Sequence, residues 1–267
     1  MGVLNVTPDS FSDGGQYLDP ERAVRRAFEI ERAGADILDV GGESTRPGSA
    51  RVSLEQEIER VLPVLEKLRG RLKIPISIDT SRSEVAEAAA DRGAEIINDV
   101  TALGADPRLA EIAARRKLPL VLMHMRGEPR TMQSKPFARD VMGNVRIGLS
   151  HAVARARQAG VAKSQILLDP GIGFGKSARQ NFELLARLAE LAHLGFPLLV
   201  GTSRKAFLAK TPGAKARDER IWGTAATVAA SVLGGAHIVR VHDVAEMVQV
   251  AATADAVLNP GVVARKR

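Results

Sequence analysis

The sequence predicts an α/β protein of the (β/α)8 TIM-barrel kind, and three observations carry that expectation. Short β-branched or aliphatic runs recur at positions 3–6, 37–40, 76–78, 96–98, 120–123, 166–168, 198–200 and 238–241, giving eight strand candidates. Between them lie stretches with apolar residues at helical spacing, such as Ala23, Ala27, Ile30 and Ala33, or Ile58, Val61, Leu62 and Leu65. Several helical stretches end in a glycine able to take the left-handed cap, at Gly34, Gly93 and Gly160, each followed by a small residue and then a strand. Strand and helix alternate throughout. Eight such units over roughly 250 residues match a closed barrel better than an open doubly wound sheet.

The bulk properties agree with one large core. The chain has 267 residues, 45% hydrophobic but only 3% aromatic, so Val, Leu, Ile and Ala must fill the interior. No linker or low-complexity block divides it. Only residues 127–142 and 211–218 read as long loops, and a single domain over 1–267 is expected. There are no cysteines, which rules out disulfides, thiolate metal sites and a thiol nucleophile. With neither an export-like start nor a run of about 18 apolar residues, a cytoplasmic protein is expected. The net charge of +7 comes from arginines scattered over predicted helices (Arg22, Arg25, Arg26, Arg60, Arg69, Arg115, Arg116, Arg155, Arg157), without interleaved aromatics or a nucleic-acid motif. A solvated basic surface that also attracts small anions fits better than nucleic-acid binding.

In such barrels chemistry sits at the C-terminal strand ends. Polar residues gather there: Asn5, Thr7, Asp9 and Asp13 at strand 1; Asp39, Glu43, Thr45 and Arg46 at strand 2; Asp79 and Thr80 at strand 3; Asn98 and Asp99 at strand 4; His124 at strand 5; Asp169 at strand 6; Ser203, Arg204 and Lys205 at strand 7; Arg240 and His242 at strand 8. Helix capping would explain Asp79, Thr80 and Ser81, or Asp243, but not a polar group at every strand end.

Four familiar motifs fail. The segment 169–177 has Pro170 where a P-loop needs glycine and Lys176 where a dinucleotide fingerprint needs it. It reads instead as a glycine loop that lets backbone and Phe174 approach a flat ligand. Among His124, His151, His193, His237 and His242 no pair has the i, i+4 spacing of a helical zinc site; only His124 and His242 reach the rim. Ser44 lacks the flanking glycines of a nucleophile elbow, while Thr45 and Arg46 suit anionic oxygens.

Eight blocks in order, 1–15, 39–48, 78–80, 98–100, 122–125, 169–176, 203–205 and 238–243, resemble the dihydropteroate synthase family of pterin-binding barrels, and the resemblance runs from end to end. It implies that Asp79, Asn98, Asp169 and Lys205 bind a pterin ring between Met123 and Phe174, with Arg240 stacked over it. It also implies that Thr45, Arg46, Arg240 and His242 bind a pyrophosphate, and that Mg2+ is held through Asn5. Phe11, Thr45, Pro47 and Lys205 would meet para-aminobenzoate, and Asp79, Asp169, Lys205, Arg46 and Asp13 would carry catalysis. Carboxylates accept in pairs from a guanidine-like edge, and amide and ammonium groups answer its acceptors. The resemblance further implies a homodimer and sulfonamide competition at the aminobenzoate subsite. Two departures stand out: Ala206 occupies a place where the family often has serine, and the chain starts at strand 1, which would weaken the barrel floor. The alternatives are a pterin-binding methyltransferase domain and a non-catalytic paralogue; the loops at 7–13 and 44–47 with Lys205 favour the synthase.

Overall fold

The structure is a computed structural model, and it describes residues 1–7, 19–44, 52–127, 132, 139–211 and 220–262. Eight parallel strands follow in chain order: β1 (Gly2–Asn5), β2 (Leu38–Gly41), β3 (Ile76–Asp79), β4 (Ala94–Asp99), β5 (Leu120–Met123), β6 (Ile166–Asp169), β7 (Leu199–Val200) and β8 (Ile238–Val239). β1 to β6 form one continuous sheet in sequential order and β7 pairs with β8. Two single bridges, Leu168 to Leu198 and Val241 to Gly2, join the two sheets into a ring. Leu168 N–H donates to Pro197 O at 2.9 Å and Val3 N–H to Val241 O at 3.0 Å. This is the (β/α)8 barrel expected from the sequence.

The last two strands are shorter than their apolar runs. Pro197 has no N–H for the ladder and Gly201 follows at the other end, so regular pairing is confined to Leu199–Val200 against Ile238–Val239.

The described helices are α1 (Pro20–Arg32), α2 (Leu54–Leu68), α3 (Ser83–Ala90), α4 (Arg108–Arg116), α5 (Val141–Gln158), α6 (Ala178–Ala186), α7 (Arg220–Leu233) and α8 (Val244–Leu258). Local chemistry sets several starts. Asp19 accepts from Glu21 N–H ahead of α1, and Ser53 with Gln56 and Ser177 with Gln180 form capping boxes at α2 and α6. α1 buries Ala23, Val24, Ala27 and Ile30, the stripe read from spacing. Gly34, Gly93 and Gly160 have φ of +96°, +96° and +91°, as their cap role requires. Gly235, at +92° before Ala236 and β8, is a fourth that the sequence reading missed.

Two apolar layers result. The larger lies between strands and helices. The smaller, Met1, Val121 and Leu199 with Ile37, Ile96, Leu167 and Ile238 against them, plugs the lower lumen. Above that plug the lumen turns polar. Among the described residues no helix is long and apolar enough to cross a membrane.

Candidate active site

The polar lumen is organised around Arg240. Its Nε donates to Asp39 Oδ2 at 2.6 Å and its Nη2 to Asp79 Oδ2 at 2.7 Å. Asn98 Nδ2 lies 3.4 and 3.3 Å from the two Asp39 oxygens. Arg240, just past β8, thus reaches β2 and β3, which are not sheet neighbours of β8, and β4 joins through Asn98 on Asp39; such contacts cross the lumen. Asp39 is fully buried, Asp79 is 6% exposed and Asn98 is 3% exposed. Burial raises the Asp79 carboxyl to about 7, against the pull of Arg240 and helped by repulsion from Asp39. Arg240 is itself held more firmly protonated: Asp39 and Asp79 outweigh its burial.

Opposite stands the glycine loop after β6. Burial also raises the Asp169 carboxyl, while Lys205 opposes the shift. Asp169 Oδ1 accepts from Gly171 N–H at 2.7 Å. Lys205 donates its ammonium to Ile172 O and holds it 4.4 Å from the Phe174 ring centroid, a cation–π distance. Burial lowers Lys205 to about 8, with Asp169 pulling the other way. Lys205 is fixed from behind by the 3-10 turn Ala206–Lys210, whose Phe207 meets Phe182 of α6 edge-on at 5.1 Å.

The glycines in this loop permit close approach to protein as well as to a flat ligand. A Cβ on Gly171 would fall 1.9 Å from His124 O, and one on Gly175 would fall 2.3 Å from Arg126 O; both residues have positive φ. Gly171→Ala is therefore expected to cost about 2–4 kcal/mol of stability, read as a lowered melting temperature. An unchanged melting curve would mean that the loop does not press on β5.

At β7 and β8, His242 N–H donates to Ser203 Oγ at 3.1 Å and its Nδ1 lies 3.0 Å from the same oxygen. Arg204 stands between Ser203 and Lys205 with φ +57°, and its guanidinium pairs with Asp243. Asp243 precedes α8 but makes no side-chain cap bond, so the capping reading of this residue fails. Thr80 Oγ1 accepts from the N–H of Arg82, the residue ahead of α3, at 3.2 Å, and its hydroxyl donates to Glu57 Oε1 at 2.6 Å, beside Arg82 bound to Glu57 Oε2 at 2.8 Å. Asp99 turns away from the lumen and accepts from Thr101 and Leu103 N–H in the turn after β4.

Among the site residues expected from the sequence, Asp79, Asn98 and Arg240 converge on one side, and Asp169, Phe174 and Lys205 on the other; Met123 is buried at the end of β5. His242 joins at the β8 rim. Asn5 ends β1 opposite Gly41, where its amide oxygen is a hard donor suited to a cation such as Mg2+. Among the described residues no three His, Asp or Glu side chains form a metal cage. Phe11, Asp13, Thr45, Arg46 and Pro47 lie outside the described residues. His124 directly follows β5; its ring packs on Gly148 of α5, and burial with the nearby Lys176 charge lowers it to about 3, so it is neutral. His237 is structural, its Nδ1 accepting from Leu198 N–H.

The sequence reading left two residues of this region without a role. Asp39 was seen at the rim but given no task; its position two residues before Gly41, on the face that carries Asp79 in β3, was the available signal. Lys176 was read only as the residue that breaks a nucleotide motif. Its ammonium is buried and bonded to His124 O, Gly171 O and Phe174 O at 3.2, 2.9 and 3.0 Å.

A barrel whose rim confronts buried carboxylates with an arginine and a lysine across an aromatic wall is built for a flat, polar heterocycle. Residues 1–242 match the family described as "Pterin binding enzyme", and the chain belongs to that family. Within it, similarity is to dihydropteroate synthases. The enzyme of that name from a Synechocystis strain is 50% identical over 256 residues, 96% of this chain and 89% of the relative. The solved Xanthomonas albilineans dihydropteroate synthase with 4-aminobenzoic acid superposes with a TM-score of 0.90 at 42% identity, over 97% of this chain and 92% of that one. The Yersinia pestis dihydropteroate synthase with a sulfonamide drug complex gives 0.90 at 44% identity, over 96% and 93%.

Proposed function

We infer that this single-domain barrel is a transferase of folate synthesis with dihydropteroate synthase activity, joining 6-hydroxymethyl-7,8-dihydropterin pyrophosphate to para-aminobenzoate to give 7,8-dihydropteroate and pyrophosphate. The observation that carries the reading is the lumen in which Asp79, Asn98 and Asp169 face Lys205 and Arg240. Asp79 and Asp169 accept from the guanidine-like edge of the pterin, Asn98 and Lys205 answer its acceptors, and Met123 and Phe174 form the apolar walls. In this reading Arg240 leaves its carboxylates and stacks on the ring.

The methylene C–O bond breaks with its electron pair leaving on pyrophosphate. The cation left behind is delocalised into the pterin, where Asp79 and Asp169 stabilise it electrostatically. The aminobenzoate nitrogen then bonds to the methylene and loses its proton. We assign Thr45, Arg46, Arg240 and His242 to the departing anion. Phe11, Asp13, Thr45 and Pro47, with Lys205, are assigned to the aminobenzoate side, where closure would exclude water that otherwise traps the cation. Ala206 is exposed and brings no hydroxyl, so backbone or water meets the aminobenzoate carboxylate. One amide does not retain Mg2+ alone; Asn5 would bind it together with the substrate phosphates, and the bound ion would neutralise charge on the leaving group.

Incubation with both substrates and Mg2+ should yield pyrophosphate and dihydropteroate in equal amounts, with loss on chelation, recovery on adding Mg2+ back, and inhibition by a sulfonamide competitive with aminobenzoate. Pterin binding without product would replace the synthase by a non-catalytic paralogue.

We also propose a cytoplasmic homodimer formed through α7 and α8, a second copy covering the exposed apolar residues Trp222, Leu233, Val257 and Leu258, of which Trp222 is 79% and Val257 66% exposed. Light scattering on the eluted protein should give twice the chain mass, and Val257→Glu with Leu258→Glu should give the monomer mass. A wild-type monomer at micromolar concentration would dismiss the dimer.

A further inference from the structure

We propose that Lys176 is a positioning residue for pterin recognition: its buried ammonium ties the end of β5 to both limbs of the 171–174 turn and so sets the turn that orients Asp169, Phe174 and Lys205. The inference rests on the pterin-site reading above. The side chain is 1% exposed, the largest fully buried one among the described residues. Its three carbonyl acceptors, His124, Gly171 and Phe174, come from two loops, the one that follows β5 and the one that follows β6. Burial lowers the Lys176 ammonium to about 7, and its three carbonyl partners offset part of that desolvation; an apolar side chain of the same length would leave three buried oxygens without that donor.

The turn it holds is the one through which the pterin-facing groups are arranged. Gly171 N–H donates to Asp169 Oδ1 at 2.7 Å, the Ile172 carbonyl accepts from Lys205, and Phe174 lies under the Lys205 ammonium at 4.4 Å. Asn181 Oδ1 of α6 fixes the same turn through Gly173 N–H at 2.6 Å, and its Nδ2 donates to Ser177 O at 3.0 Å. Asn181 therefore anchors the turn to its own helix, whereas Lys176 anchors it to β5 and the wall residue Met123. Lys176 meets only protein atoms in these contacts and acts through the groups it holds.

The test is direct binding of 6-hydroxymethylpterin by calorimetry, alongside thermal melting, for wild type, Lys176→Met and Lys176→Ala. Lys176→Met should bind pterin about tenfold or more weakly while still melting cooperatively. Lys176→Ala, refolded and assayed in propylammonium, should regain affinity with a saturable dependence on the amine, a response that lost packing alone would not give. Equal pterin affinity in wild type and a folded Lys176→Met overturns the inference. If Lys176→Met does not fold, Lys176→Ala decides: pterin affinity that fails to respond to propylammonium overturns it as well. A wild-type protein that binds no pterin would instead overturn the functional reading, which separates the two failures.

Discussion

Arg240→Met is expected to lower the unfolding free energy by about 3–5 kcal/mol, because removing the cation strands two buried carboxylates in one lumen. Asp39 is fully buried and Asp79 nearly so, while Arg240 keeps 21% of its side chain exposed; the loss thus falls on the acids it leaves behind. Pterin binding should disappear with it. Adding Asp39→Asn in the same chain removes one stranded charge and should restore part of the stability without restoring binding, a non-additivity expected of groups in one network. Denaturant titration read with calorimetry checks both. A loss under about 1 kcal/mol would mean that Asp39 and Asp79 are stabilised mainly by other groups.

Asp79→Asn is expected to weaken pterin binding by about 2–4 kcal/mol, roughly 30- to 1,000-fold, since a charge-assisted acceptor becomes an amide with one oxygen and two donors. A pH dependence accompanies it. Burial raises the Asp79 carboxyl from 3.8 to about 7, so below that value it is increasingly protonated and a poorer acceptor. Pterin KM should fall as pH rises from 6 to 8 and level off above. The sign for stability is opposite: the folded carboxyl holds its proton more tightly than the unfolded one, so the Asp79 contribution to stability declines as pH rises between 3.8 and 7. Burial and the charges of Arg240, Asp39, Glu57 and Asp99 set the midpoint jointly. A flat KM profile with full activity at pH 5.5 would show that Asp79 is ionised throughout and that its burial is compensated.

Much of this was legible in the sequence because barrel architecture repeats. Each aliphatic run, each helix face such as Ala23, Ala27 and Ile30, and each capping glycine is a local signal; the rule that rim residues carry the chemistry put Asp79, Asn98, Asp169, Lys205 and Arg240 among many rim candidates, and only the family resemblance set them apart from the rest. Long-range pairing was not legible. Asp39 and Arg240 are 201 positions apart, and nothing local to either marks it as the other's partner. Lys176 was missed for a related reason: a lysine beside glycines reads as solvated until the fold wraps three carbonyls around it. For His124 the strand-end position does not say which way the ring turns; it packs on Gly148 of α5.

The ring is closed at two seams, by one bridge between β6 and β7 and by another between β8 and β1, the latter with Met1 donating to Val239 O and accepting from Val241 N–H, both at 3.0 Å. The carboxylates Asp39, Asp79 and Asp169 all belong to the six-strand sheet, while Lys205 and Arg240 arrive with the β7–β8 pair. The final quarter of the barrel is thus an electropositive stave set into an electronegative trough, and completing the scaffold and assembling the catalytic centre become the same event. A split version of this chain, cut between β6 and β7, would reassemble through charge attraction, its rate falling with ionic strength, and would become active only as the last stave seats.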